Sequence, residues 1–239
     1  MFHVKQRRRL AGFLGLVALS LLVLSCSRAA APRGWAAPVG LDSLVLVSTS
    51  RGHLTAINAS SREKVWRFPD CWSISEKRAR SLAGIYGVPV VSQDLQTLFI
   101  GDYSGYVYAV PTRGYDCDSG ASDKAKVGAF KLDDHIIGGL ALDTTTDTLY
   151  VTSGPRIYSL PVKDLKARAD NNKANVALKE IYKADGDIWS APIMTGTGLL
   201  FSSLDGKLYM FGGQGRVPLV ARQPITWSIH HGGYEITNT

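Results

Sequence analysis

The chain has 239 residues, 45% of them hydrophobic, which is enough for one globular domain with a sizeable core. Its formal charge of +7 is concentrated at the start, because Lys5, Arg7, Arg8 and Arg9 supply four positive charges and leave +3 for the remainder. The other basic residues are scattered beside acidic ones, without a basic stripe or interleaved aromatic residues. This composition argues against a disordered, low-complexity chain and against nucleic-acid binding.

The first 26 residues predict a targeting segment: a basic start, an uncharged apolar stretch at 10–24, and small residues from Ser25. At about 15 residues, the apolar stretch is shorter than the roughly 20 that a transmembrane helix needs. The pair Arg7-Arg8 also occurs in twin-arginine signals, but the rest of that pattern is poor and a Sec-type signal fits better. The segment therefore predicts an exported protein.

The run Val23-Leu24-Ser25-Cys26 resembles the lipobox of bacterial lipoproteins. The resemblance implies cleavage before Cys26, a diacylglyceryl group on Cys26 and a polar tether at 27–34. An ordinary secretory signal, cut among residues 29–31, is the alternative. A lipid anchor would hold the protein on the outer side of the cytoplasmic membrane, or in the periplasm or outer membrane.

Lipidation of Cys26 would leave Cys71 and Cys117, an even pair in a compartment that permits disulfides. A bridge between Cys71 and Cys117 is one hypothesis, and two separate, partly buried thiols are the other. Their spacing of 46 residues does not decide between the two.

An internal repeat runs through the remainder of the chain. One marker recurs at steps of 53, 50 and 51 residues: Gly52-His53-Leu54-Thr55, Gly105-Tyr106-Val107-Tyr108, Pro155-Arg156-Ile157-Tyr158 and Gly206-Lys207-Leu208-Tyr209. A second marker keeps the same period: Trp35-Ala36-Ala37-Pro38, Tyr86-Gly87-Val88-Pro89, Gly138-Gly139-Leu140 and Trp189-Ser190-Ala191-Pro192. Two markers in one period indicate a repeat architecture.

Each period contains a run rich in apolar and β-branched residues, a polar turn and a second such run. The first runs predict strands at 44–49, 97–101, 148–152 and 199–203, and no helical periodicity of useful length competes with them. Short antiparallel strands in units of about 40 to 50 residues predict an all-β fold, a β-propeller of four-stranded blades. The predicted blades are 35–84, 85–136, 137–187 and 188–224, with the start of a fifth at 225–239.

The repeats resemble the quinoprotein (PQQ) type of propeller repeat, in residues 44–66 and again in 188–211. In that family a tryptophan at the end of the last strand docks between blades. Trp66 matches this docking position, and Phe130 and Tyr182 hold equivalent places in the next two blades. The family closes with seven or eight blades, which implies an incomplete ring here. A small ring closed by 225–230, or two chains completing one another, are the alternatives.

Quinoprotein dehydrogenases of this family carry a vicinal disulfide, a tryptophan platform and an acidic calcium cluster. This sequence has no adjacent cysteine pair, and Trp189 and Trp227 fall on a repeat position that packing between blades explains. Asp133-Asp134-His135 precedes the third blade's apolar run and is interpreted as a solvated loop, and His230-His231 would point to opposite faces of a strand. We therefore predict no catalytic, cofactor-binding or metal-binding residues.

The expected function is that of a non-catalytic envelope lipoprotein, a scaffold whose propeller loops bind envelope proteins. Insertions that differ between repeats, at 70–81, 113–124 and 163–175, are the candidate binding loops. The architecture is similar to that of the propeller subunit of the outer-membrane protein assembly machine, which binds its partner by loops. A PQQ-dependent oxidoreductase fragment and a ligand-sensing ectodomain are the alternatives.

Overall fold

The computed structural model describes residues 34–69, 82–114, 127–171, 173–196, 198–212, 219–220, 226–230 and 233–237. All of them fall within one compact unit, Arg33–Thr239. In these ranges no helix has the length and apolar character needed to cross a bilayer.

Sixteen of the described strands form four antiparallel sheets of four strands each, and within each sheet the strands follow one another in chain order. Sheet 1 contains β1 Val39–Leu41, β2 Leu44–Thr49, β3 His53–Asn58 and β4 Lys64–Phe68. Sheet 2 contains β5 Val90–Val91, β6 Thr97–Gly101, β7 Tyr106–Pro111 and β8 Gly128–Lys131. Sheet 3 contains β9 Leu140–Asp143, β10 Thr148–Ser153, β11 Arg156–Pro161 and β12 Lys179–Lys183. Sheet 4 contains β13 Ile193–Thr195, β14 Gly198–Ser202, β15 Leu208–Gly212 and β16 Leu219–Val220. The predicted strands and the predicted fold class are confirmed.

The strand β6 is apolar along most of its length because both faces of sheet 2 are covered. In β6, Leu98 and Ile100 are buried against sheet 1, whereas Phe99 between them is buried against sheet 3. Successive side chains of a strand point to opposite faces, so a strand in a sheet between two neighbours needs apolar residues on both faces. This is why β6 is a continuous apolar run and not an alternating one.

Each sheet packs face to face on the next through its own apolar cluster. Side chains of sheets 1 and 2 form the first cluster, those of sheets 2 and 3 the second, and those of sheets 3 and 4 the third. In the third cluster, Ile157 of sheet 3 meets Leu199, Phe201 and Tyr209 of sheet 4, all of them almost fully buried. Neighbour-to-neighbour burial of this kind is typical of repeat architectures.

One helix, α1 (Val162–Asp170), interrupts the β pattern between β11 and β12, where the sequence predicted no helix. Val162 and Leu165 of α1 are fully buried in the cluster of sheets 2 and 3. The backbone of α1 lies so close to Gly128 that a Cβ there would be 2.4 Å from the carbonyl oxygen of Leu165. The insertion 163–175 was expected to be an exposed binding loop, but its helical part is a packing element that fastens sheet 3 to sheet 2.

An ion pair also connects α1 to sheet 2. The Nζ of Lys166 in α1 lies 2.8 Å from Oδ2 of Asp94, in the turn between β5 and β6. Hydrogen bonds from the side chains of Lys166 and Ser92 lower the pKa of Asp94 to about 2. The pair is partly exposed to solvent, so its contribution to stability is small.

The strands β17 (Thr226–His230) and β18 (Gly233–Thr237) form a separate antiparallel hairpin, with Trp227 opposite Ile236. Among the described strands, neither β17 nor β18 is hydrogen-bonded to sheet 1, and the ring of sheets is not closed.

Candidate functional site

The antiparallel order of the strands places two kinds of loop at the same end of every sheet. The turn between the second and third strands and the connector to the next sheet lie side by side. Backbone hydrogen bonds join them: the N–H of Tyr103 donates to the carbonyl of Gly84 at 2.9 Å, and that of Leu204 to Asp187 at 2.9 Å. We call this end the loop face; it comprises residues 34–38, turns 50–52, 102–105, 154–155 and 203–207, and connectors 82–89, 132–139 and 184–192.

Four rings on the loop face form a continuous aromatic track across sheets 1 to 3. Trp35 meets Tyr86 edge to face at 4.5 Å between centroids, and Tyr86 meets Tyr103 at 5.8 Å. Tyr103 in turn stacks on the imidazole of His135 at 5.2 Å. Burial, and then the neighbouring Tyr103, raise the pKa of Tyr86, so its hydroxyl remains neutral. The track therefore offers ring surfaces and hydroxyl groups to a ligand.

His135, at the end of the aromatic track, lies between two carboxylates. Its Nδ1 is 2.7 Å from Oδ1 of Asp134, and its Nε2 is 3.4 Å from Oδ2 of Asp187. The backbone N–H of His135 also donates to Oδ1 of Asp134, at 2.8 Å. Residues 133–135 are therefore more than the solvated loop that the sequence predicts, since His135 and Asp134 are partly buried and His135 joins the connector before sheet 3 to the connector before sheet 4.

Large apolar side chains are exposed on the loop face on both sides of this histidine. Trp35 is 72% exposed, Trp189 53% and Leu204 60%. Trp189 and Leu204 flank a shallow pocket of about 270 Å³ on sheet 4, which Ser190, Ser203 and Lys207 also line. Trp189 and Leu204 thus lie side by side as exposed apolar residues, and an apolar patch of this kind marks a candidate interaction surface.

Asp102 also lies in a loop-face turn, but its surroundings assign it a structural role. It is 2% exposed; its Oδ1 accepts the N–H of Tyr106 at 3.1 Å, and its Oδ2 accepts the hydroxyl of Tyr108 and the N–H of Ala83, each at 3.3 Å. Burial raises the pKa of this carboxyl, and the hydrogen bonds oppose the shift. Asp102 therefore holds the β6–β7 turn against the preceding connector, and its bonded oxygens are turned away from solvent.

The three residues predicted to dock between blades contact the following sheet, the loop after one of its strands, or the helix inserted in it. The Nε1 of Trp66 donates to the carbonyl of Thr112, which follows β7 of sheet 2, at 3.2 Å. Phe130 lies under the guanidinium of Arg168 in α1, at 5.3 Å. Tyr182 packs on Phe201 and Tyr209 of sheet 4, with centroids 6.2 Å and 5.0 Å apart.

Several other predicted residues lie outside the described part of the chain. They are Cys26, Cys71 and Cys117, the insertion 70–81, and all of the insertion 113–124 except Arg113 and Gly114. Lipidation and the disulfide therefore stay predictions. In the described ranges no group of three or more His, Cys, Asp or Glu side chains is placed to hold a metal ion.

Some residues of the loop face could be predicted from the sequence. Trp35, Tyr86 and Trp189 were recognised as markers of the repeat, and their equivalent positions place all three at the loop face. Tyr103 and His135 were not connected with them, because the contact between a turn and the next connector depends on how neighbouring sheets are packed.

No protein-family model matches the chain, and no curated protein matches its sequence. Among the solved structures that resemble it are three that are each 15% identical to it in sequence. U3-55K has a TM-score of 0.56, over 75% of this chain and 48% of that one. The structure of the RRP9 WD40 repeats has a TM-score of 0.56 and covers 75% of this chain and 47% of its own. BamB from Moraxella catarrhalis has a TM-score of 0.50 and covers 76% of this chain and 50% of its own.

The chain thus spans about half the length of each of these structures. WD40 repeats form the four-stranded blades of β-propellers. Together with the four consecutive antiparallel sheets, each packed face to face on the next, these likenesses show that the chain has a β-propeller fold.

Proposed function

We propose that the protein is a non-catalytic scaffold of the bacterial envelope, which binds another protein at its loop face. The observation that carries this proposal is the exposure of Trp35, Trp189 and Leu204 beside the aromatic track. Tryptophan and tyrosine are enriched among the residues that dominate binding at protein interfaces. The propeller supports them rigidly, because every loop-face turn is hydrogen-bonded to a connector that is itself packed between sheets.

We further infer that the repeats are of the PQQ type and that the protein is held at a membrane through Cys26. The lipobox-like run 23–26 and the docking residue Trp66 support these two inferences. We propose that the protein acts without a cofactor. Trp189, a candidate for a quinone platform, lies on the exposed loop face and serves better as a contact for a protein partner.

Site-specific photo-crosslinking tests the proposed binding surface. We expect benzoylphenylalanine at the position of Leu204, in the full chain expressed in bacterial cells, to form a discrete adduct with one envelope protein. The matched control is Leu95, which is 51% exposed in the β5–β6 turn at the opposite end of sheet 2. In the Leu204 cross-linker background, Trp189→Ala should reduce the adduct about tenfold, since truncation of an interface tryptophan often costs 2 kcal/mol or more. Equal adducts from both positions, unaffected by Trp189→Ala, would refute loop-face binding.

Metabolic labelling tests the anchor separately. Cells given radioactive palmitate should label the wild-type chain, and Cys26→Ser should abolish the label and move the protein out of the membrane fraction. Cys117→Ser is the matched control and should leave both properties unchanged. Palmitate in the Cys26→Ser variant would rule out the proposed lipid anchor.

A further inference from the structure

The carboxylates beside the aromatic track have unused hydrogen-bonding capacity. The interactions of Asp134 and Asp187 with His135 use Oδ1 of Asp134 and Oδ2 of Asp187. In the described part of the chain, the other oxygen of each carboxylate accepts no hydrogen bond. Both side chains are reachable from solvent, since 39% of Asp134 and 35% of Asp187 is exposed. His135 therefore uses one oxygen of each carboxylate, and the other oxygen of each can still accept a hydrogen bond from a ligand.

Lys207, in the turn between β14 and β15, does not supply those donors. The Nζ of Lys207 lies 3.0 Å from Oδ2 of Asp185 and 3.8 Å from Oδ2 of Asp205, so it is already shared between two other carboxylates. Asp205 also accepts the hydroxyl of Tyr209 and the N–H of Lys207. Lys207 therefore interacts with other carboxylates around the junction of sheets 3 and 4.

Apolar surface adjoins these carboxylates directly. Leu204 donates its N–H to the carbonyl of Asp187, and Trp189 follows Asp187 by two residues. Tyr103 lies on the other side of the junction, stacked on His135. A ligand that fits here needs a cationic group close to an apolar one, within a single short segment.

From this charge and shape we infer that the protein partner docks through a basic segment, with an arginine at the Asp134–Asp187 pair and a neighbouring apolar side chain on Trp189 and Leu204. A guanidinium is planar, donates several hydrogen bonds in a fixed geometry and stacks on aromatic rings, and these properties match two carboxylates beside Tyr103. The inference rests on the proposed function and specifies the chemistry of its partner.

Binding of synthetic peptides to the purified full chain tests the inference. The probe is a short fluorescent peptide of leucine, arginine, glycine and serine, compared with versions in which citrulline or glutamate replaces each arginine. We expect the arginine peptide to bind about tenfold more tightly than the citrulline peptide, which has the same shape without the charge. Its affinity should fall as ionic strength rises from about 0.05 M to about 0.3 M.

A pair of protein variants localises the effect. Asp134→Asn combined with Asp187→Asn should weaken the arginine peptide about tenfold and leave the citrulline peptide unchanged. Asparagine keeps an Oδ1 acceptor for the N–H of His135, so the loop should keep its fold. The control is Asp147→Asn, an exposed aspartate in the β9–β10 turn at the opposite end of sheet 3. Its φ of 50° suits asparagine, so this variant should fold and bind as the wild type does.

The outcomes separate the inference from the proposed function. If the Leu204 cross-link forms and needs Trp189, but arginine and citrulline peptides bind alike, a protein binds the loop face and the basic-segment inference is wrong. Equal weakening by Asp147→Asn would also overturn the inference, because the effect would then come from overall charge. If neither the cross-link nor any peptide binding is observed, both proposals fail.

Discussion

Replacing Trp66 by alanine is expected to lower the free energy of unfolding by about 3 to 5 kcal/mol. The indole is 5% exposed and belongs to the cluster that joins sheets 1 and 2. Its removal leaves a cavity between two sheets and takes a donor away from the carbonyl of Thr112. Gly114, at a φ of 104°, lies directly against the indole ring in the same loop as Thr112 and has no side chain that could fill the cavity.

Urea unfolding followed by circular dichroism measures the decrease in the free energy of unfolding for Trp66→Ala. The matched control is Val65→Ala in the preceding position of the same strand, where the side chain is 50% exposed. This control should cost less than about 1 kcal/mol, the range of strand preferences at exposed sites. If the two variants unfold at the same urea concentration, Trp66 does not connect the sheets as described.

Replacing Gly87 by alanine is expected to destabilise the protein by about 3 kcal/mol, the upper part of the usual range for overpacking. A Cβ on Gly87 would lie 2.3 Å from the Cα of Gly139 in the next connector, which is far inside van der Waals contact. Gly139 cannot easily move away, because its carbonyl accepts both the N–H and the hydroxyl of Thr152, at 3.1 Å and 3.2 Å. The clash is between two backbones, so a change of rotamer cannot relieve it.

Gly40→Ala is the matched control for Gly87→Ala. Gly40 lies in β1 with no atom within 4 Å of the Cβ position, so alanine there should change the unfolding free energy by less than about 1 kcal/mol. Thermal and urea unfolding of the two variants provide the comparison. A stable Gly87→Ala protein would show that the connectors of sheets 2 and 3 are farther apart than the structure places them.

The strands were predictable because a repeated sequence repeats its local preferences. The predictions 44–49 and 97–101 coincide with β2 and β6, that at 148–152 is one residue shorter than β10, and that at 199–203 is shifted by one residue from β14. Helix α1 was missed because its nine residues contain few apolar positions, and only Val162 and Leu165 have the spacing of a buried helical face. Its stability comes from packing against sheet 2, which local sequence does not report.

The candidate site was predicted in part. The 51-residue marker identified Trp35, Tyr86 and Trp189, and the exposed loops were expected to bind a partner. The insertion 163–175, named for its variable length, instead supplies a packed helix. Length variation alone does not distinguish a binding loop from an insertion that buries its own apolar residues.

The repeat, the strands and the succession of four-stranded sheets could be predicted from the amino-acid order, because each of these depends on residues that are neighbours in the chain or one period apart. Three contacts could be seen only in the folded protein: Tyr103 stacks on His135, His135 joins Asp134 to Asp187, and Gly87 touches Gly139. Each of these contacts joins loops of different sheets or different parts of one connector, and their distances depend on how closely the sheets pack. Packing distance is set by the sum of many buried side chains, and no short stretch of sequence specifies it.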